Sequence, residues 1–206
     1  MDGIVLQLQA EALNEAVDIE TLLRKAYLVA RKLKLKDFET WIANEQNGYK
    51  KEIPDYRTIR GQIKAWNTYY GWTPVIMQGD LSDVVSKMPL RLPISTISDV
   101  YNESDGSVTL TVSGAIADFF NKNTDGFPTV YCFRSSKAEM HKIISSVRNR
   151  ILDWALLLEE NGIVGEEIDF TSYEKDLAAK SAVINNYTNN FYSNIDNTKI
   201  EQGNHR

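Results

Sequence analysis

Residues Leu22–Tyr49, LLRKAYLVARKLKLKDFETWIANEQNGY, constrain the fold more than any other stretch. Together with Ile53–Arg57, IPDYR, they hold two amphipathic helices, a helix stop and a rigid turn. Asp18 is a favourable N-cap, and Glu20 suits the positive end of the helix that follows. Ile19, Leu22, Leu23, Ala26, Ala30 and Leu33 recur at helical spacing and form its inner stripe. Arg31, Lys32 and Lys34 close the helix where its dipole favours cations. The basic cluster that they make with Arg24, Lys25 and Lys36 thus has a structural explanation. A third helix over about Asp37–Asn47 sets Phe38, Trp41, Ile42 and Glu45 on one phase. Asn47-Gly48 stops it, because glycine enters left-handed backbone without steric cost. Tyr49 falls where it folds back on the helix end, and Pro54 denies Ile53 a helical conformation.

Elsewhere the signals vary. Ile4–Ala16 reads as a first helix with Ile4, Leu6, Leu8, Ala12, Leu13 and Ala16 inward. In Thr58–Ala65, Ile59, Ile63 and Ala65 alternate with Arg60, Gln62 and Lys64, which predicts a strand with one wet face. Gly61 falls on the apolar side and marks a close approach of backbone or a bulge. A turn at Asn67–Gly71 and a strand at Trp72–Met77 complete a hairpin with Trp66, Tyr69, Tyr70 and Trp72 at its end. Short helices are expected near Leu81–Lys87, Ser95–Tyr101 and Ile116–Asn121, and strands at Val108–Val112 and Phe127–Phe133. A long helix follows, with Ser136 and Glu139 in capping-box spacing and Ile144, Val147, Ile151, Trp154 and Leu158 as its seam. Asn161-Gly162 ends it. Beyond, Asn185–Asn204 holds seven asparagines among aromatics and isoleucines. Three arrangements compete there: a disordered tail, a clasp along the chain's own sheet, or strands that pair with another copy.

Composition narrows the function classes. The net charge of −5 gives no general pull toward nucleic acid or anionic lipid, so nucleic acid is not the expected partner. Cys132 is the single cysteine, and its apolar run TVYCF favours a buried inert thiol over a nucleophile. No apolar run approaches the ~20 residues of a membrane span, and the first residues lack the basic flank of a secretion signal. A cytoplasmic protein is the expectation.

No reaction is legible. The spacings of zinc, EF-hand and phosphate loops are missing, so no metal ligand or cofactor is assigned. Any Ser-His-acid arrangement would need His141 as its base, and no serine sits in a nucleophile elbow. Arg134, Lys142, Arg148 and Arg150 lie among as many acids and read as a solvated face. Glu45 stands out, because an inward carboxylate needs a cation or several donors. Arg24, Arg57 and Arg60 are the available forks. Two readings stay open: a buried Glu-Arg tie that fixes how helices meet the hairpin, or a polar pocket lined by Glu45, Tyr49, Tyr56 and Arg57. The candidate binding residues are Glu45, Tyr49, Tyr56, Arg57 and Arg60; no catalytic residue is assigned.

Three segments in order, LLRKAYLVARKLKLKDFETWIANEQNGY, IPDYRTIRG and VRNRILDWALLLEENG (Val147–Gly162), resemble the AbiTii domain of bacteria. The likeness spans about Leu6–Gly162. It implies a role in abortive-infection defence against bacteriophage beside a partner defence protein or a phage protein, and it carries no agreed catalytic residues. The chain is thus expected to be an α+β domain over 1–162, with an asparagine-rich extension over 163–206. The domain comprises an N-terminal helical unit, a small mainly antiparallel sheet and a long C-terminal helix. Two functions follow as expectations. One is a non-enzymatic sensor, regulator or assembly module working through protein contacts, with the tail as a route to homo-oligomers. The other is a toxin enzyme, a nuclease centred on Glu45, Tyr56 and Arg57.

Overall fold

The computed structural model describes residues 3–77, 79–123, 128–181 and 184. It is an α+β fold. Helices α1 (Ile4–Leu13), α2 (Ile19–Leu33) and α3 (Lys36–Asn47) form the N-terminal unit. A single 3-10 turn, Asp55–Arg57, leads into β1 (Thr58–Asn67) and β2 (Gly71–Pro74). Then come α4 (Asp80–Val85), β3 (Lys87–Pro89), α5 (Ile94–Glu103), β4 (Ser107–Thr111), α6 (Gly114–Lys122) and β5 (Tyr131–Ser136). The long helix α7 (Lys137–Glu160) and a short α8 (Ser172–Lys180) close the described chain. The asparagine-rich stretch after residue 184 and Phe127 lie outside the described residues.

The sheet is antiparallel throughout, in the order β2-β1-β5-β4, with β3 beside the start of β1. Strand alternation sorts its two faces. Ile59, Ile63, Val108 and Phe133 are buried, while Arg60, Gln62, Trp66, Thr109 and Arg134 are exposed. Gly61 lies on the buried face, opposite Ser135. A Cβ there would stand 2.5 Å from the Phe133 ring and 2.5 Å from the Arg134 carbonyl, so only glycine lets that ring lie flat on β1.

Helix α7 packs against α1, α5 and β1. Its buried side is Met140, Ile143, Val147, Ile151, Trp154, Ala155 and Leu158. Trp154 stacks on Phe38 with ring centroids 3.8 Å apart, which joins α7 to α3 across the core. Ile163, Phe170, Ala178 and Ile184 belong to that same core.

Three local expectations need correction. Helix α1 stops at Leu13, which is 70% exposed, and Val5 is buried in its place. The Ser136 side chain makes no cap bond; the Glu139 carboxylate accepts from the backbone N–H of Arg60 (2.8 Å) instead. The capping box that does form is Thr171 with Glu174, at α8. The basic residues of α7 are not simply solvated. Arg148 donates to the carbonyls of Glu11, Asn14 and Val17, holding the α1–α2 corner, and Arg150 lies 4.1 Å over the Tyr56 ring.

Candidate functional site

The phase of α3 that buries Phe38, Trp41 and Ile42 also carries Glu45 inward, to full burial. The helix cannot continue past Asn47, because Gly48 turns at φ +84°. A Cβ at Gly48 would stand 2.5 Å from the Arg91 carbonyl, so glycine also admits the segment before α5. The Tyr49 N–H then donates to that Arg91 carbonyl (2.8 Å). Its side chain returns under the helix, and the phenol donates to Glu45 Oε1 (2.6 Å). The next turn, fixed by Pro54, delivers Tyr56 and Arg57. Tyr56 Oη donates to Glu45 Oε1 (2.5 Å) and accepts from Trp41 Nε1 (2.9 Å).

Arg57 is fully buried and closes the cluster. Its Nε donates to Glu45 Oε1 (3.2 Å) and its Nη2 to Oε2 (2.5 Å), the bidentate fork that suits a carboxylate. Its Nη1 donates to the carbonyls of Leu90 (3.3 Å) and Leu92 (2.5 Å). The guanidinium lies 4.9 Å from the Tyr49 ring centroid. One cation thus ties α3, the start of β1 and the segment before α5.

Electrostatics follow from burial. Burial pushes the Tyr49 and Tyr56 phenols well above their ordinary range, and the Glu45 charge raises them further. For Arg57 burial works against the charge, but Glu45 outweighs it and the net direction is up. Both carboxylate oxygens of Glu45 are engaged, and the cluster is a hydrogen-bonded ion pair. An open depression of about 800 Å³ runs along α3 and is lined by Tyr49, but not by Glu45 or Arg57.

Four of the five sequence candidates therefore meet: Glu45, Tyr49, Tyr56 and Arg57. Arg60 does not join them. It is exposed on β1, where its backbone rather than its side chain is bonded, through Glu139 and Ser135. Arg24, the third fork, pairs with Glu20 on the surface of α2 (3.1 Å). Sequence reasoning missed the Trp41 indole, although it sits one turn before Glu45 on the same phase. The Leu90 and Leu92 carbonyls carried no signal, because backbone acceptors have none. Cys132 is buried, and burial pushes its thiol up, as suits an inert thiol. His141 is exposed and stacks at a tilt on Tyr101, centroids 5.4 Å apart. Among the described residues, no group of three or more His, Cys, Asp or Glu could hold a metal ion. Nor is any described helix long and apolar enough to cross a membrane.

A family model, AbiTii, matches residues 3–183. The chain belongs to the AbiTii family. The match runs from α1 through α8 and so takes in the whole described fold. AbiTii membership places the chain in abortive-infection defence against bacteriophage. No curated protein and no solved structure matches it.

Proposed function

We propose that this AbiTii chain is a non-enzymatic module of the defence system, acting in the cytoplasm by contact with a partner defence protein or a phage protein. The observation that carries this reading is the saturation of Glu45. A carboxylate held by two phenols and a bidentate arginine, and not itself lining the depression along α3, supports a role in locking architecture. Recognition then falls to the surface. Self-association is part of the proposal, and the mass of the full chain in solution tests it; a monomer at cellular concentration removes it.

The competing reading makes the cluster the centre of a toxin nuclease. Phage-plaque counts separate the two when paired with thermal melts of purified variants. Tyr49→Phe removes one bond to Glu45, and Glu45→Gln removes the charge while keeping the shape. A non-enzymatic module predicts that protection tracks folding, so folded Tyr49→Phe protects as well as wild type. A folded Glu45→Gln protein that no longer protects would overturn the reading.

A further inference from the structure

The outer face of the sheet has a composition unlike the rest of the chain. The strands contain four cations, Arg60, Lys64, Lys87 and Arg134, and no carboxylate, although the whole chain carries a net charge of −5. Pairing gathers these cations. Arg60, Gln62, Lys64 and Trp66 share one side of β1; Arg134 stands opposite Gln62, and Lys87 opposite Arg60. Lys87 is taken by Asp83 of α4 (2.6 Å). Lys64 and Arg134 form no ion pair among the described residues, though Arg134 donates to Ser107 Oγ (3.1 Å), while Arg60 makes no direct ion pair but acts through space on Asp83.

Aromatic rings extend that face toward the hairpin end. Trp66 and Trp72 are cross-strand partners, 44% and 37% exposed, with rings edge to face at 5.4 Å. The Asn67 side chain closes the turn beyond them. Asn67 Oδ1 accepts from the N–H groups of Tyr69 (2.8 Å) and Tyr70 (3.1 Å). Both tyrosines are held almost wholly in solvent, at 90% and 83% exposure. Turns favour small polar residues, so two adjacent exposed tyrosines are unusual there.

We infer that this open face binds single-stranded RNA. Three exposed or half-exposed cations, Arg60, Lys64 and Arg134, beside exposed rings are complementary to phosphates beside unstacked bases. An antiparallel sheet presenting aromatics is a surface on which splayed bases stack. A duplex hides its base faces, which disfavours it here. Exposed hydroxyls of Thr109 and Thr111 on the β4 edge offer partners for the ribose 2′-OH, which favours RNA over DNA. Capture of RNA by this face and protein contacts elsewhere on the molecule can hold or fail separately.

Fluorescence anisotropy of the full chain with labelled twelve-nucleotide oligo(U) tests this. With about three phosphates neutralised, affinity falls roughly 20-fold between 50 and 200 mM salt. Trp66→Ala and Trp72→Ala each weaken binding roughly 10-fold. Lys64→Glu with Arg134→Glu abolishes it, and Lys142→Glu on the exposed side of α7 leaves it unchanged. These side chains are exposed or half-exposed, and far-ultraviolet melts confirm that the variants stay folded. Trp41 and Trp154 are fully buried, so quenching of wild-type tryptophan fluorescence by oligo(U) reports contact at Trp66 and Trp72 without any substitution. Failure to bind oligo(U) at low salt overturns the proposal. So does equal affinity for oligo(dT) or for an RNA duplex. Equal competition by polyglutamate shows an acidic protein surface to be the ligand and overturns it as well.

Discussion

The clamp around Arg57 and the open face that begins at Arg60 lie three residues apart in the chain, yet they use the same guanidinium in opposite ways. Arg57 sits in the 3-10 turn before the strand, where its side chain enters the core and meets a charge of opposite sign. Arg60 sits in the strand proper, between the buried Ile59 and the inward Gly61, and alternation sends it to solvent. A buried cation must have its donors matched, because an unpaired charge in a core is far costlier than any single bond is worth. The matched cation is then unavailable to anything outside. The exposed one contributes little to the fold and is free to meet a ligand. Chemical identity thus says less about role than the backbone position from which the side chain departs.

The largest expected effect breaks the clamp. Arg57→Ala leaves Glu45 buried without its countercharge and costs about 3–5 kcal/mol. Urea denaturation measures it. Glu45→Ala costs a similar amount, and the double variant costs much less than the sum, because both changes remove one interaction. Additive losses would show that the two residues act independently.

Alkali attacks the clamp through its tyrosines. Both phenols ionise only well above their unfolded range, so the folded state keeps protons that the unfolded state loses. Their contribution is fully present below about pH 10 and drains away as pH rises toward the folded values. Two such groups remove roughly 3 kcal/mol by pH 11. The urea midpoint between pH 9 and pH 11 reads this loss, and combining Tyr49→Phe with Tyr56→Phe flattens the slope.

A smaller loss sharpens the anatomy of the clamp. Tyr56→Phe removes a bond to the Glu45 carboxylate and the phenol oxygen that accepts from the Trp41 indole N–H. That costs about 2 kcal/mol. Tyr49→Phe also removes a bond to Glu45, together with the contact between the two phenols, but it leaves the Trp41 indole on Tyr56 and costs less.

Much of this was legible before the fold was known. The shared phase of Phe38, Trp41, Ile42 and Glu45 announced an inward carboxylate, and Pro54 with Gly48 announced the turns that bring its partners. The identity of the fork was legible too. The alternation of Ile59, Arg60, Gln62 and Ile63 already placed Arg60 on the wet side, and naming it as a partner for Glu45 ran against that pattern. The false capping box at Ser136 failed for a different reason. Ser136 and Glu139 have the same spacing as Thr171 and Glu174, but the Glu139 carboxylate lies beside the Arg60 N–H and binds it. A spacing rule knows the local competitors of a side chain, not the ones that the fold delivers from seventy-nine residues away. The exposure of Trp66 and Trp72 was hidden in the same way. Their pairing was readable, but whether a helix would cover that face is a property of the whole topology.

The smallest effect is the one that separates the two regions most sharply. Arg60→Ala leaves both backbone bonds of that residue in place, since Glu139 takes its N–H and Ser135 donates to its carbonyl. The side chain buries nothing that the core needs. The loss should stay below about 0.5 kcal/mol, near the limit of a urea titration. The same substitution at Arg57 should shift the midpoint severalfold more. A cost at Arg60 approaching that at Arg57 would mean that the open face is structural, and that its cations are ordered for the sake of the fold. A negligible cost leaves them without a structural reason for sitting together on a surface that carries no carboxylate in any strand.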